Sequence, residues 1–203
     1  MQEYKFDDKL RYEILDGKIV YMAPRPSVEH HSVADNIFWI FRGYLKGKKC
    51  RTFSDGVYVR LDKIKDITLP EKNKKDRVIP DVMIVCNPDT IKPDGIYGAP
   101  DLIVEVLSPR TAKNDKSTKK DMYESIGVRE YWIVDVPSRL IEVYLLTAGK
   151  YVLDNTYHQY TKIEIEMIMD DDTIEDKTFI TEFKTSLYED LVISIDDVFD
   201  KLT

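Results

Sequence analysis

Apolar residues in this chain gather into short runs, and two of the runs carry a carboxylate in an otherwise apolar setting. Residues 78–85 read Val-Ile-Pro-Asp-Val-Met-Ile-Val and residues 100–109 read Pro-Asp-Leu-Ile-Val-Glu-Val-Leu-Ser-Pro. A third run, Glu-Tyr-Trp-Ile-Val-Asp, begins at Glu130. All three have the length and β-branched content of buried strands. Around them the pattern predicts a hairpin over residues 12–22, where apolar runs flank Asp16-Gly17 and Pro24 and Pro26 end it. A helix follows over residues 28–45, with Ser27 at its start and Val33, Ile37, Ile40, Phe41 and Tyr44 at three- and four-residue steps. Residues 51–61 read as a strand, 62–76 as a charged surface loop containing Pro70, and 87–99 as an irregular connection. Residues 114–126 read as a helix ended by Gly127, with Met122, Tyr123 and Ile126 inward and Lys119 one turn before Tyr123 on the same side. Strands over 130–136 and 140–146, more strand over 151–169 and a short helix over 195–202 complete an α/β order, a mixed sheet with helices on its faces.

A carboxylate inside an apolar strand is costly to bury unless its charge is compensated, and a divalent cation held between two such strands does this. Asp81 and Glu105 are therefore candidate metal ligands. The bland alternative puts Asp81 at a strand opening and Glu105 on a solvated edge, but the apolar residues on both sides of Glu105 suit a strand covered on both faces. Lys119, turned towards the sheet, is a candidate for orienting a nucleophile or stabilising charge on phosphorus. Glu13, Glu29, His30 and Asp55 form a second tier; an acidic residue at position 29 is already explained by the helix dipole.

Composition narrows the field. The 203 residues carry a net charge of −7, which argues at first against a nucleic-acid partner. The acidity is concentrated, however: residues 154–203 hold 14 acidic and 4 basic side chains, and residues 1–153 hold 26 basic and 23 acidic. Three histidines and two cysteines make a zinc enzyme a poor fit, and Cys50 and Cys86 read as reduced structural residues. No apolar run is long enough for a membrane span and the first residues lack a secretion signal's apolar core, so a cytoplasmic location is expected. Neither glycine-rich phosphate loop nor a Gly-x-Ser-x-Gly elbow is present.

Taken together, YEILDG, EHHSVADNIFWIF, PDVMIV, PDLIVEVLSP, a lysine four before a tyrosine, and GVREYWIVD resemble the family of putative restriction endonucleases within the PD-(D/E)XK nuclease-like superfamily, most strongly over residues 10–147. The resemblance implies a restriction-endonuclease-like core in a single domain over 1–203, with 148–203 as an acidic extension. It implies that Asp81 and Glu105, with the Val106 carbonyl, hold magnesium or manganese, for which oxygen donors suit. Leu107 stands where the superfamily motif has lysine, and Lys119 on the following helix is the matching position. Glu29 and Glu13 correspond to additional acidic residues. The expectation is a metal-dependent endonuclease cutting DNA, contacting its backbone through the basic segments 42–51 and 110–120, with a homodimer favoured by symmetric duplex cutting. The alternatives are a catalytically silent nucleic-acid-binding or protein-interaction domain, and a dimer module using Phe38, Trp39, Phe41 and Tyr44.

Overall fold

The computed structural model describes residues 11–22, 27–64 and 75–200. Strands β1 (Tyr12–Leu15) and β2 (Lys18–Tyr21) form the predicted hairpin. Its two turn residues, Asp16 (φ 50°) and Gly17 (φ 71°), are both left-handed, as the tight turn matching strand twist requires. Pro24, Pro26 and Pro70 lie outside the described residues. Helix α1 (Val28–Tyr44) starts where the Ser27 hydroxyl accepts the His30 amide, and buries His30, Val33, Ala34, Ile37 and Phe41. Of the aromatic run, Phe41 is buried, Phe38 and Tyr44 half-buried and Trp39 exposed.

The single strand expected over 51–61 is two. β3 (Arg51–Ser54) ends at Asp55-Gly56, where Gly56 takes φ 106°, and β4 (Val59–Arg60) leaves in another direction. β5 (Arg77–Val78) and β6 (Val82–Val85) follow. The connection expected to be irregular contains a small hairpin, β7 (Ile91–Lys92) and β8 (Gly95–Ile96), before β9 (Leu102–Val106). The next helical stretch begins two residues earlier than expected, as α2 (Ala112–Asn114), widens into a π-helical turn over Asp115–Lys119, and continues as α3 (Lys120–Ile126). β10 (Glu130–Asp135), β11 (Leu140–Thr147) and β12 (Lys150–His158) come next. Strand was expected to run on to residue 169. It stops at His158, because Thr161 and Glu164 form a reciprocal capping box that opens α4 (Lys162–Asp170). β13 (Glu182–Lys184), β14 (Val192–Ser194) and α5 (Ile195–Val198) end the described chain.

The central sheet has the order β12-β11-β10-β9-β6-β3, with only β9 and β10 parallel. The crossover between those two is the helical stretch carrying Lys119. Alternation along the strands sends Val82, Ile84, Leu102, Val104, Val106 and Trp132 to one core, with α1 and the C-terminal Phe183, Ile193 and Phe199. It sends Met83, Ile103, Leu107, Tyr131 and Ile133 to the other, with Met122, Tyr123 and Ile126 of α3. That second core is closed by a further sheet, β2-β1-β5-β4-β8-β7, contributing Leu15, Val59, Val78 and Ile96. β9 is thus covered on both faces, and all five of its residues are buried.

The cysteines depart from expectation. Cys50 and Cys86 are joined as a disulfide, not reduced and separate. The pairing of Arg51 with Val85 across β3 and β6 brings the two residues flanking that pair face to face, a proximity that 36 residues of separation hide in the sequence. Among the described residues no helix is long and apolar enough to cross a membrane.

Gly127 closes α3 at φ 86°, and a Cβ there would meet nothing within 4 Å. Gly127→Ala is therefore expected to cost only the left-handed penalty, about 1 kcal/mol, lowering Tm by roughly 2–4 °C in thermal unfolding; a drop well beyond this would show that space, not conformation, matters.

Candidate active site

β6 and β9 run antiparallel with Val82 opposite Val104, and continuing that register by one residue sets Asp81 opposite Glu105. The Asp81 Oδ2 accepts the Val106 amide at 2.8 Å, which ties the carboxylate to the neighbouring strand. Glu105 is 2% exposed and faces the second core. Its Oε1 accepts the Lys119 ammonium at 3.1 Å and the Tyr123 hydroxyl at 2.6 Å.

Lys119, itself buried, is the hub. Its Nζ lies 3.1 Å from Glu13 Oε1, 3.1 Å from Glu105 Oε1 and 3.3 Å from Asp115 Oδ1. Asp115, Lys119 and Tyr123 follow one another at four-residue steps, and the π-helical turn between Asp115 and Lys119 is a distortion that often occurs where side chains must be aimed at a site. Glu13 arrives from β1 of the second sheet, and its Oε1 also accepts the Ile79 amide at 2.9 Å. Leu107, at the position of the superfamily's lysine, packs in the second core; the ammonium beside Glu105 comes from the helix instead.

The structure thus brings Asp81, Glu105, Lys119 and Glu13 to one place, with the Val106 main chain alongside. It does not bring Glu29, whose side chain is exposed on the first turn of α1. Its neighbour His30 is turned inward, with Nε2 3.4 Å from Asp81 Oδ2. His30 and Asp115 were not among the primary candidates, although both carried a signal: His30 falls three and seven residues before the buried Val33 and Ile37, and Asp115 falls four before Lys119. Asp55, from the second tier, pairs instead with Arg11.

Burial pushes the Glu105 carboxyl well above its ordinary range, against the pull of Lys119 and with the push of Asp115, Asp81 and Glu13. Burial raises Asp115 too, again opposed by Lys119. For Lys119 burial opposes the charge, but Glu105, Glu13, Asp115 and Asp81 together outweigh it and hold the ammonium well above the usual lysine range. His30 is also raised: burial works against its charge and Asp81, with the Val106 main chain, overcomes it.

Glu13, Glu105 and Asp115 contact the one buried ammonium, while Asp81 faces His30. The buried His30 Nδ1 makes no hydrogen bond among the described residues, whereas Asp115 Oδ1 is held by the Lys119 ammonium. Among the described residues no three His, Cys, Asp or Glu side chains form a ready metal cage. The donors at hand are two carboxylates and a main-chain carbonyl, at Asp81, Glu105 and Val106. Such a sparse, hard, oxygen-only set fits magnesium, which is bound through one or two carboxylates and completes its shell with water and substrate phosphate.

Removing the hub has a sharp expected outcome. Lys119→Met leaves buried carboxylates without their cation, which typically costs 3–5 kcal/mol. A carboxyl with a raised folded pKa favours the fold below its unfolded pKa and loses that contribution as pH rises through the folded value. The raised values of Glu105 and Asp115 therefore make the deficit of Lys119→Met, read by urea unfolding, larger at pH 8 than at pH 5; an equal deficit at both would contradict this electrostatic account.

Comparison with known proteins bears on the fold and the family. A protein of Synechocystis sp. described as uncharacterized is 27% identical over 135 residues, 66% of this chain and 65% of the relative; the chain thus spans just under two thirds of that relative's length. A crystal structure from Anabaena variabilis, described as a putative nuclease belonging to DUF820, superposes with a TM-score of 0.64 at 16% identity, covering 93% of this chain and 89% of that one; at that identity the likeness shows the fold. Residues 1–174 match the family described as Uma2, putative restriction endonuclease. By that match, which takes in every residue of the carboxylate cluster, the chain belongs to the Uma2 family.

Proposed function

We propose that this protein is a metal-dependent endonuclease that hydrolyses phosphodiester bonds of DNA. The observation that carries the proposal is the meeting of Glu105, Glu13 and Asp115 around the single ammonium of Lys119, with Asp81 tied to the adjacent Val106 amide, at the junction of the central sheet, the second sheet and the helical crossover. Asp81, Glu105 and the Val106 carbonyl would hold magnesium or manganese. When bound, the ion supplies Lewis acidity at the scissile phosphate and makes water a stronger acid.

The chain's own groups do the rest. Lys119 places a positive charge beside Glu105, where it would offset negative charge developing on the phosphate, and the carboxylates around it fix its position before substrate arrives. Tyr123 donates its hydroxyl to Glu105 Oε1, taking up one of its acceptor sites so that the carboxylate keeps one rotamer. His30 holds Asp81 in the same way from α1. Glu13 and Asp115 keep Lys119 charged in a buried setting and so act as positioning residues. The basic segments 42–51 and 110–120 would contact the DNA backbone.

The test is cleavage of plasmid and single-stranded DNA at low salt with magnesium or manganese, with calorimetry of metal binding alongside. Glu105→Ala is expected to abolish both cutting and metal binding. Lys119→Ala is expected to lower the rate on the order of a hundredfold to a thousandfold. Affinity for DNA is expected to fall steeply as salt rises. A wild-type protein that neither cuts DNA nor binds either metal would overturn the proposal.

A further inference from the structure

On the outer side of α1, away from the carboxylate cluster, the helix and the edge strand β3 enclose a groove. It consists of two adjoining cavities of about 410 and 380 Å³ that share Trp39, Arg42, Arg51 and Thr52. The first extends to Lys46 and Lys48, and the second along β3 to Ser54 and Asp55. Trp39, Arg42 and Lys46 lie at three- and four-residue steps and so share one face. Gly43 lies between them, and a Cβ there would meet nothing within 4 Å, which leaves the floor open.

Three properties of the groove point to one kind of occupant. Trp39 is 66% exposed, held edge-on by Phe38 at 5.5 Å between ring centroids, and so offers a free indole face. Arg42, Lys46, Lys48 and Arg51 surround it; among the described residues Arg42 and Lys46 take part in no ion pair, and the charge of Asp55 at the far end is taken up by Arg11. β3 is the last strand of its sheet, and its end pairs Ser54 with Val82, next to Asp81, so the groove leads towards the carboxylate cluster. From Arg51 to Ser54 the strand covers roughly 10 Å, room for a short stretch of extended strand.

We infer that this groove is a channel for single-stranded DNA, with one base stacked on Trp39 and the phosphates along Arg42, Lys46 and Arg51. An indole face takes a base only when that base is unpaired, and aromatic platforms within basic grooves are how single strands are held without sequence readout. A second copy of the chain docked here about a two-fold axis would set these cations against their own copies, an unfavourable contact. The inference deepens the nuclease reading and rests on it, since it names the form of DNA that reaches the carboxylates.

Trp132 is fully buried, so a change in tryptophan emission on adding ligand reports on Trp39. The experiment titrates the full chain with an oligothymidylate and with a duplex of equal length, in chelator so that nothing is cut, reading tryptophan quenching and the anisotropy of a labelled strand. Saturable quenching by the single strand and tenfold weaker binding of the duplex are expected. Trp39→Ala should weaken the single strand on the order of tenfold or more, Trp39→Phe should restore most of the affinity, and Arg42→Glu should reduce the salt dependence. Equal affinity for both forms, or unchanged affinity in Trp39→Ala, overturns the inference. So does self-association, seen by sedimentation, that shields Trp39 and is lost in Arg42→Glu, since the groove would then receive the acidic segment of another copy. The nuclease reading fails separately: a wild type that binds the strand in chelator but never cuts with metal leaves the channel standing, and one that cuts duplex without quenching removes the channel alone.

Discussion

Taking an ammonium group out of water costs several kcal/mol unless the charges around it compensate, and Lys119 meets that cost with carboxylates from three separate parts of the chain. Glu13 comes from the N-terminal hairpin, Glu105 from the middle of the central sheet and Asp115 from the lysine's own helix. The buried lysine and the three carboxylates compensate one another's burial. The second sheet, the central sheet and the crossover helix are therefore held in register by one charge as well as by their apolar contacts.

How much of this was legible in the sequence depends on whether a signal was local. Asp81 and Glu105 stood out because each is a lone charge inside an apolar run, and Lys119 because helical spacing put it on the side of Tyr123. The hairpin at Asp16-Gly17 and the end of α3 at Gly127 were written in single residues with special backbone needs. Glu13 was visible only as one acidic residue in a short alternating strand, since its approach to Lys119 depends on two sheets meeting. Glu29 and His30 show the limit most clearly. They are adjacent, but successive residues on a helix point about 100° apart, so the acid faces water while the imidazole reaches Asp81.

The second sheet was not foreseen because its members are mostly two-residue strands, too short for any period to register. Its formation turns on Gly56, which ends β3 and lets β4 leave the central sheet. The cysteine pair likewise depends on which strands become neighbours. The capping box at Thr161 and Glu164, by contrast, was present in the sequence and outweighs the strand-like alternation that continues past His158.

Glu130 is fully buried at the head of β10; its Oε1 accepts the Trp132 indole N–H, and its Oε2 accepts both the amide and the hydroxyl of Ser186. Trp132 in turn packs on Phe183 at 5.1 Å, and Leu191, Ile193, Ile195, Val198 and Phe199 join the same core. The family match spans residues 1–174, yet residues beyond it, together with α1, cover one face of the sheet that carries Asp81 and Glu105. The span of the family match and the span of the packed core thus end at different places on this chain. Residues outside the matched span are, in this protein, part of the core on which the matched pieces rest.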